Sequence, residues 1–236
     1  VHEVSGEFWM DVDTQEELKR ANCEVVKQSV KDSEDGIVSK YLNRKISTRI
    51  SCYLVDKITP NQATLLTFLI GILSGLVAFF NVPLGGVIYQ VSSAVDGIDG
   101  EIARSSLRTS KLGGYLDSVL DRFVDAFFLI ALSVHLPGSV LSSVLTGLSI
   151  FGSVMVSYTT ERYKGAFGES PFKSIPALKF FPGKRDERVF VIMLFCLLDK
   201  VFELFVFLAI LTNLKVIYNL VLIYLKKSKE GGESGG

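Results

Sequence analysis

The apolar runs that begin at residue 61 limit this chain more than any other feature. A helix needs roughly 20 mostly apolar residues to cross a bilayer. Six segments approach that length: 61–82, 84–105, 112–136, 139–162, 187–201 and 203–225. The first, NQATLLTFLIGILSGLVAFFNV, has no charged residue, whereas the fifth is short. Six such runs would overfill the core of a soluble helical bundle. The expected fold is therefore an all-α integral membrane protein with about six transmembrane helices, preceded by an N-terminal amphipathic interfacial helix.

The formal net charge of zero conceals three regimes. Residues 1–36 hold ten Asp/Glu against four Lys/Arg. Residues 37–60 are basic, with Lys40, Arg44, Lys45, Arg49 and Lys57 against Asp56. Apolar runs follow. Within 37–53, IVSKYLNRKISTRISCY, the apolar Ile37, Tyr41, Ile46, Ile50 and Tyr53 recur at near-helical spacing between cations. That pattern fits a basic amphipathic helix on a membrane surface. Loop cations set an orientation by the positive-inside bias. Arg104, Arg108 and Lys111 follow the second span, Arg162 to Arg188 is rich in Lys and Arg, and Lys226, Lys227 and Lys229 follow the last. The connections near Pro83 and Pro137 carry none. Both termini and the charged loops are expected to face the cytoplasm. Cys23, Cys52 and Cys196 have no metal-binding or redox spacing, which fits a reduced setting.

The carboxylates sit where they are costly. DGIDGEIARSSLRTSKLGGYLDSVLD, residues 96–121, lies between greasy segments yet carries Asp96, Asp99, Asp117 and Asp121. Helical residues three or four apart share a face. Asp96 and Asp99 form one such pair, continued by Gly100 and Ala103; Asp117 and Asp121 form another, with Gly113 one turn before. Two helices can then aim four carboxylates into one gap, where the small residues permit close approach. Like charges at that density repel, and hard divalent cations relieve the repulsion. Intramembrane ionisable groups are functional candidates. Pairing with Arg104, Arg108 or Arg122 could account for one or two of the four. Glu101 points away from this face and is weaker evidence. Asp125 extends the Asp117/Asp121 face, either behind the metal ligands or paired with Arg122.

The pattern Asp96-x-x-Asp99-Gly100-x-x-Ala103-Arg104, eight residues, Gly113, three residues, Asp117, three residues, Asp121 resembles the signature of the class I CDP-alcohol phosphotransferase family at all eight defining positions. ITPNQAT before the first span is similar to that family's usual opening. The resemblance implies cleavage of a CDP-alcohol pyrophosphate, transfer of the phosphoalcohol to an acceptor hydroxyl, and release of CMP. It implies Mg²⁺ or Mn²⁺, two ions in all, on Asp96, Asp99, Asp117 and Asp121, with Asp121 also the general base. It places the cytidine donor against Gly100, Ala103 and Gly113, helped by Arg104 and Asn61. SYTTER and the cations of GKRDERVF resemble the acceptor-phosphate stretches of inositol-phosphate-using members, which implies Arg162, Lys164, Arg185 and Arg188 for that phosphate.

GEFWMDVDTQEELKR near the start resembles the closing strand and helix of sugar-phosphate nucleotidyltransferases, with Thr14 and Glu17 at capping-box spacing. The expected divisions are 1–30, the end of such a domain; 31–54, a linker and juxtamembrane helix; 55–228, the transferase membrane domain; and 229–236, a disordered tail or vector-derived scar. Together the two resemblances imply CDP-inositol plus inositol 1-phosphate giving a di-myo-inositol phosphate phosphate. The alternative is a phospholipid synthase using CDP-diacylglycerol or CDP-archaeol, and a remote one is a cation transporter, although repeated halves are missing. Expected partners are the CDP-alcohol, a phosphorylated small-molecule acceptor, membrane lipids and a second copy as homodimer, with no nucleic acid.

Overall fold

The computed structural model describes residues 10–30 and 36–233, with side chains to residue 228. All regular secondary structure among the described residues is helical, so the all-α expectation holds. The first helix, α1 (Gln15–Gln28), starts at the anticipated capping box: Thr14 accepts from the Glu17 amide and Glu17 reaches back to the Thr14 amide. The Thr14 hydroxyl, then the backbone amides, hold the Glu17 carboxyl below the usual carboxylate range. The cap's contribution is therefore full above the usual range and lost as pH falls from it through the lowered folded value. A single π-helical turn, Ser39–Asn43, leads into α2 (Arg44–Leu54).

The apolar segments fold as α3 (Pro60–Ala78), α4 (Val82–Val95), α5 (Gly97–Ser105), α6 (Lys111–Ser133) and α7 (Val140–Phe167). A short turn, α8 (Pro171–Ser174), precedes α9 (Arg185–Leu197) and α10 (Val201–Glu233). Four of these starts have a local cause. Thr59 with Gln62 and Pro60 opens α3; Asn81, Ser110 and Ser139 cap α4, α6 and α7. Gly168, at φ 72°, closes α7 in the left-handed conformation. The 84–105 segment, expected as one helix, is two that meet at Asp96. The α10 helix runs past residue 228, through the first part of the expected tail; 234–236 lie outside the described residues, as do 1–9, where the closing strand was expected.

Three helices, Pro60–Ala78, Val140–Phe167 and Val201–Ser228, are long and apolar enough to cross a membrane. Their surfaces invert the soluble pattern. On α3 the buried positions are Ala63, Thr67, Gly71, Ser74, Gly75 and Ala78, while Leu65, Leu69, Leu73 and Leu76 face outward. Small residues inside let backbones approach, and large apolar ones suit lipid. Helix α3 packs on α4 and α6, α4 on α9, and α7 along α10. At the α3–α4 hairpin a Cβ on Gly85 would lie 2.6 Å from the Ala78 Cα, with no flexible side chain to yield. Gly85→Ala should therefore force the hairpin apart and lower the melting temperature of detergent-solubilised protein, at a cost of about 1–3 kcal/mol. An unchanged melting temperature would contradict this close packing. The core beneath is built around Phe128, Leu132, Leu204, Phe205 and Leu208, with Tyr89 stacked on Phe128 at 4.0 Å.

Helix α1 lies along α2, and Cys23 and Cys52 are joined in a disulfide. This corrects the reading of three unpaired thiols. Their 29-residue separation carries no motif; packing brings their Cα atoms to 4.5 Å. Among the described residues only the buried Cys196 is free.

Candidate active site

Helices α5 and α6 carry the acidic segment, and their positions follow from two apolar contacts. Ile98 and Ile102 on α5 pack with Ala63 of α3 and with Ile50 and Leu54 of α2. Val124, Phe128 and Leu132 seat α6 in the main core. The intervening polar faces converge. Carboxylate oxygens of Asp96, Asp117 and Asp121 lie within 4.8 Å of one another. Asp99 lies beside this group: its Oδ2 accepts from Thr64 Oγ1 at 2.6 Å, and its Oδ1 accepts from the Gly100 amide.

One guanidinium holds the cluster together. Arg185, at the start of α9, reaches Asp96 at 2.9 Å through Nη1, Asp121 at 3.1 Å through Nη2 and Asp125 at 3.2 Å through Nε. Asp125 also accepts from Tyr89 Oη at 2.7 Å and lies 3.7 Å from Arg188. Asp125 thus supports Arg185 from behind. Of its two sequence readings the pair with Arg122 does not form; Arg122 turns to Asp121 at 3.4 Å.

Two cavities meet at this cluster. The first, of 340 Å³, is lined by Asp96, Asp117 and Asp121 together with Asn43, Arg44, Lys164, Lys184, Arg185, Arg188 and Lys215. The second, of 530 Å³, is lined by Asn61, Asp99, Gly100, Ala103, Arg104, Arg108, Gly113 and Asp117. Asp117 borders both. All five residues expected to touch the CDP donor therefore lie on one cavity. Of the four cations expected at the acceptor phosphate, Lys164, Arg185 and Arg188 line the other, and exposed Arg162 does not. Arg188 is 3 % exposed and donates to the Gly183 and Ser153 carbonyls. The structure adds Arg44, Lys184 and Lys215, which the sequence reading missed. Lys215 lies inside an apolar run, and its Nζ donates to the Leu178 and Phe181 carbonyls.

The donor set fits a hard divalent cation. It is all carboxylate oxygen, and among the described residues only Arg185 and Arg122 form ion pairs with Asp96 and Asp121, which leaves net negative charge for a cation to offset.

Residues 57–225 match the model of the CDP-alcohol phosphatidyltransferase family. The chain belongs to that family. The resemblance carried by Asp96 to Asp121 is thereby borne out across the membrane helices. Within the family the chain is 55% identical over 225 residues to a bifunctional IPC transferase and DIPP synthase of Aquifex aeolicus, covering 95% of this chain and 53% of the relative. It is 51% identical to the protein of the same description in Archaeoglobus fulgidus, over 95% of this chain and 46% of that one. The chain spans about half the length of these curated relatives. The fold is similar to a solved Mycobacterium tuberculosis phosphatidylinositol phosphate synthase with CDP-DAG bound, at TM-score 0.61 and 18% identity, covering 76% of this chain and 94% of that one. Family membership and the long apolar helices make this an integral, multi-pass membrane protein.

Proposed function

We propose that this domain transfers inositol phosphate from CDP-inositol to inositol 1-phosphate, giving a di-myo-inositol phosphate phosphate and CMP. The observation that carries the reading is the pair of cavities sharing Asp117, one glycine-lined and one lined by cations. The similarity to the Aquifex and Archaeoglobus proteins supports the choice of substrates. CDP occupies the second cavity, where Gly100, Ala103 and Gly113 leave room for it and Arg104 and Asn61 contact it. The acceptor occupies the first, its phosphate met by Lys164 and Arg188 with Lys184 and Lys215. Arginine suits that task because its fork matches phosphate oxygens.

The acceptor hydroxyl approaches the phosphorus that carries the donor alcohol. Asp121 takes its proton, the new P–O bond forms, and the bridging oxygen leaves with its electron pair as CMP. Divalent cations, two of Mg²⁺ or Mn²⁺ on Asp96, Asp99, Asp117 and Asp121, would offset the charge of the pyrophosphate and of leaving CMP. The protein holds both reactants against one cluster, which removes much of the entropic cost of meeting. In this reading the chain spans the membrane six times, by α3, α4 with α5, α6, α7, α9 and α10, and the site and both termini face the cytoplasm; the cations around Arg104–Lys111 and Arg162–Arg188 support that orientation.

A substrate swap tests this. Purified protein with Mg²⁺, CDP-inositol and inositol 1-phosphate should release CMP, and CDP-diacylglycerol should not replace the donor. Release with CDP-diacylglycerol alone would overturn the di-inositol reading in favour of a phospholipid synthase.

A further inference from the structure

Glu101 stands outside the carboxylate cluster, and its side chain is fully buried. A buried carboxylate persists only when paired and hydrogen-bonded. Among the described residues its side-chain partners all come from α2, Thr48 Oγ1 at 3.4 Å being the most distant. Ser47 Oγ donates to Oε1 at 2.7 Å and Arg44 Nη1 at 3.1 Å, while Ser51 Oγ donates to Oε2 at 2.7 Å. Residues 44, 47 and 51 recur at helical spacing, so they share a face. The juxtamembrane helix thus turns its polar stripe inward and its apolar Ile46 and Tyr53 outward.

The same stripe forms a wall of the first cavity, through Asn43, Arg44 and Ser47. Arg44 lies against the joint between α4 and α5: a Cβ on Gly97 would come within 2.5 Å of its Nη1. That joint carries Asp96. On α5, Gly100 and Arg104 flank Glu101 and line the second cavity. Glu101 itself lines neither. One carboxylate therefore ties the wall of one cavity to the helix that lines the other.

We propose that Glu101 is a positioning residue for the acceptor. It holds Arg44 and Ser47 where they meet the phosphate and hydroxyls of a phosphorylated polyol. The inference rests on assigning the first cavity to the acceptor. Arg44 makes the contact, and Glu101 acts through it by fixing the guanidinium and the helix that carries it.

The test compares wild type, Glu101→Gln, Arg44→Ala and the double variant, each as the full chain in detergent. KM is read separately for inositol 1-phosphate and for CDP-inositol. Glu101→Gln should raise the acceptor KM about tenfold, the value of one charge-assisted hydrogen bond, and leave the donor KM within about twofold. Arg44→Ala should give the same split, and the double variant should be no worse than Arg44→Ala, because the two act as one unit. Equal rises in both KM values, or additive effects, would overturn the proposal. If Glu101→Gln does not fold, Arg44→Ala still decides: an unchanged acceptor KM refutes it. If wild type ignores inositol 1-phosphate but uses another acceptor, the substrate reading fails on its own. The same variants then run on that acceptor, and the split again decides the role of Glu101.

Discussion

Asp121→Asn is expected to cut CMP release by about 10³-fold or more while the protein still folds and still binds a CDP ligand. Asparagine has the same shape, and its Oδ1 can keep the contact that Asp121 Oδ1 makes with Arg185 Nη2 at 3.1 Å. It cannot accept a proton from the attacking hydroxyl. Asp121 borders the first cavity and belongs to the cluster at the cavity junction, so the group lost is the one facing the acceptor. Donor contacts on Gly100, Ala103, Arg104 and Gly113 are untouched, since they line the other cavity. Single-turnover rate and calorimetric CDP binding, measured on the same preparation, separate the two effects. Turnover near wild type would remove Asp121 as the base. Loss of CDP binding together with turnover would make it a donor residue instead.

What the sequence revealed follows from how local each signal is. The convergence of Asp96, Asp117 and Asp121 was legible because three- and four-residue spacings fix a helix face, whatever the surroundings. The cap at Thr14 was legible for the same reason. The pairing of Glu101 was not. Its partners lie 50–57 residues earlier, on a stripe whose arginine and serines read as solvent-facing. In a helix with protein on one side and lipid on the other, the polar stripe is the buried one. The split at Asp96 was also hidden, because its backbone stays near helical values, φ −55° and ψ −34°. The place of Arg185 depended on tertiary phase. Cations at the head of α9 suggest an acceptor phosphate, but only the packed helices bring this one within reach of Asp96, Asp121 and Asp125.

Arg185→Ala is expected to be the most damaging change to the protein without added metal. Arg185 links three carboxylates drawn from the α4–α5 joint and from α6, and its own side chain is 18% exposed. Removing one partner of a buried ionic group leaves uncompensated charge, which costs on the order of 3–5 kcal/mol. Asp125 suffers most directly, being 7% exposed in its side chain and retaining Tyr89 and the more distant Arg188. The variant should melt well below wild type in chelator. Mg²⁺ or Mn²⁺ should then raise its melting temperature by more than it raises that of wild type. In wild type the guanidinium already offsets part of the charge on these carboxylates, whereas in the variant the ion supplies that part as well. The measurement is a thermal melt of both proteins across a metal titration, with no substrate present. A metal-induced shift of equal size in the two would show that Arg185 and the ion do not share these carboxylates, and would move the metal site away from Asp96 and Asp121.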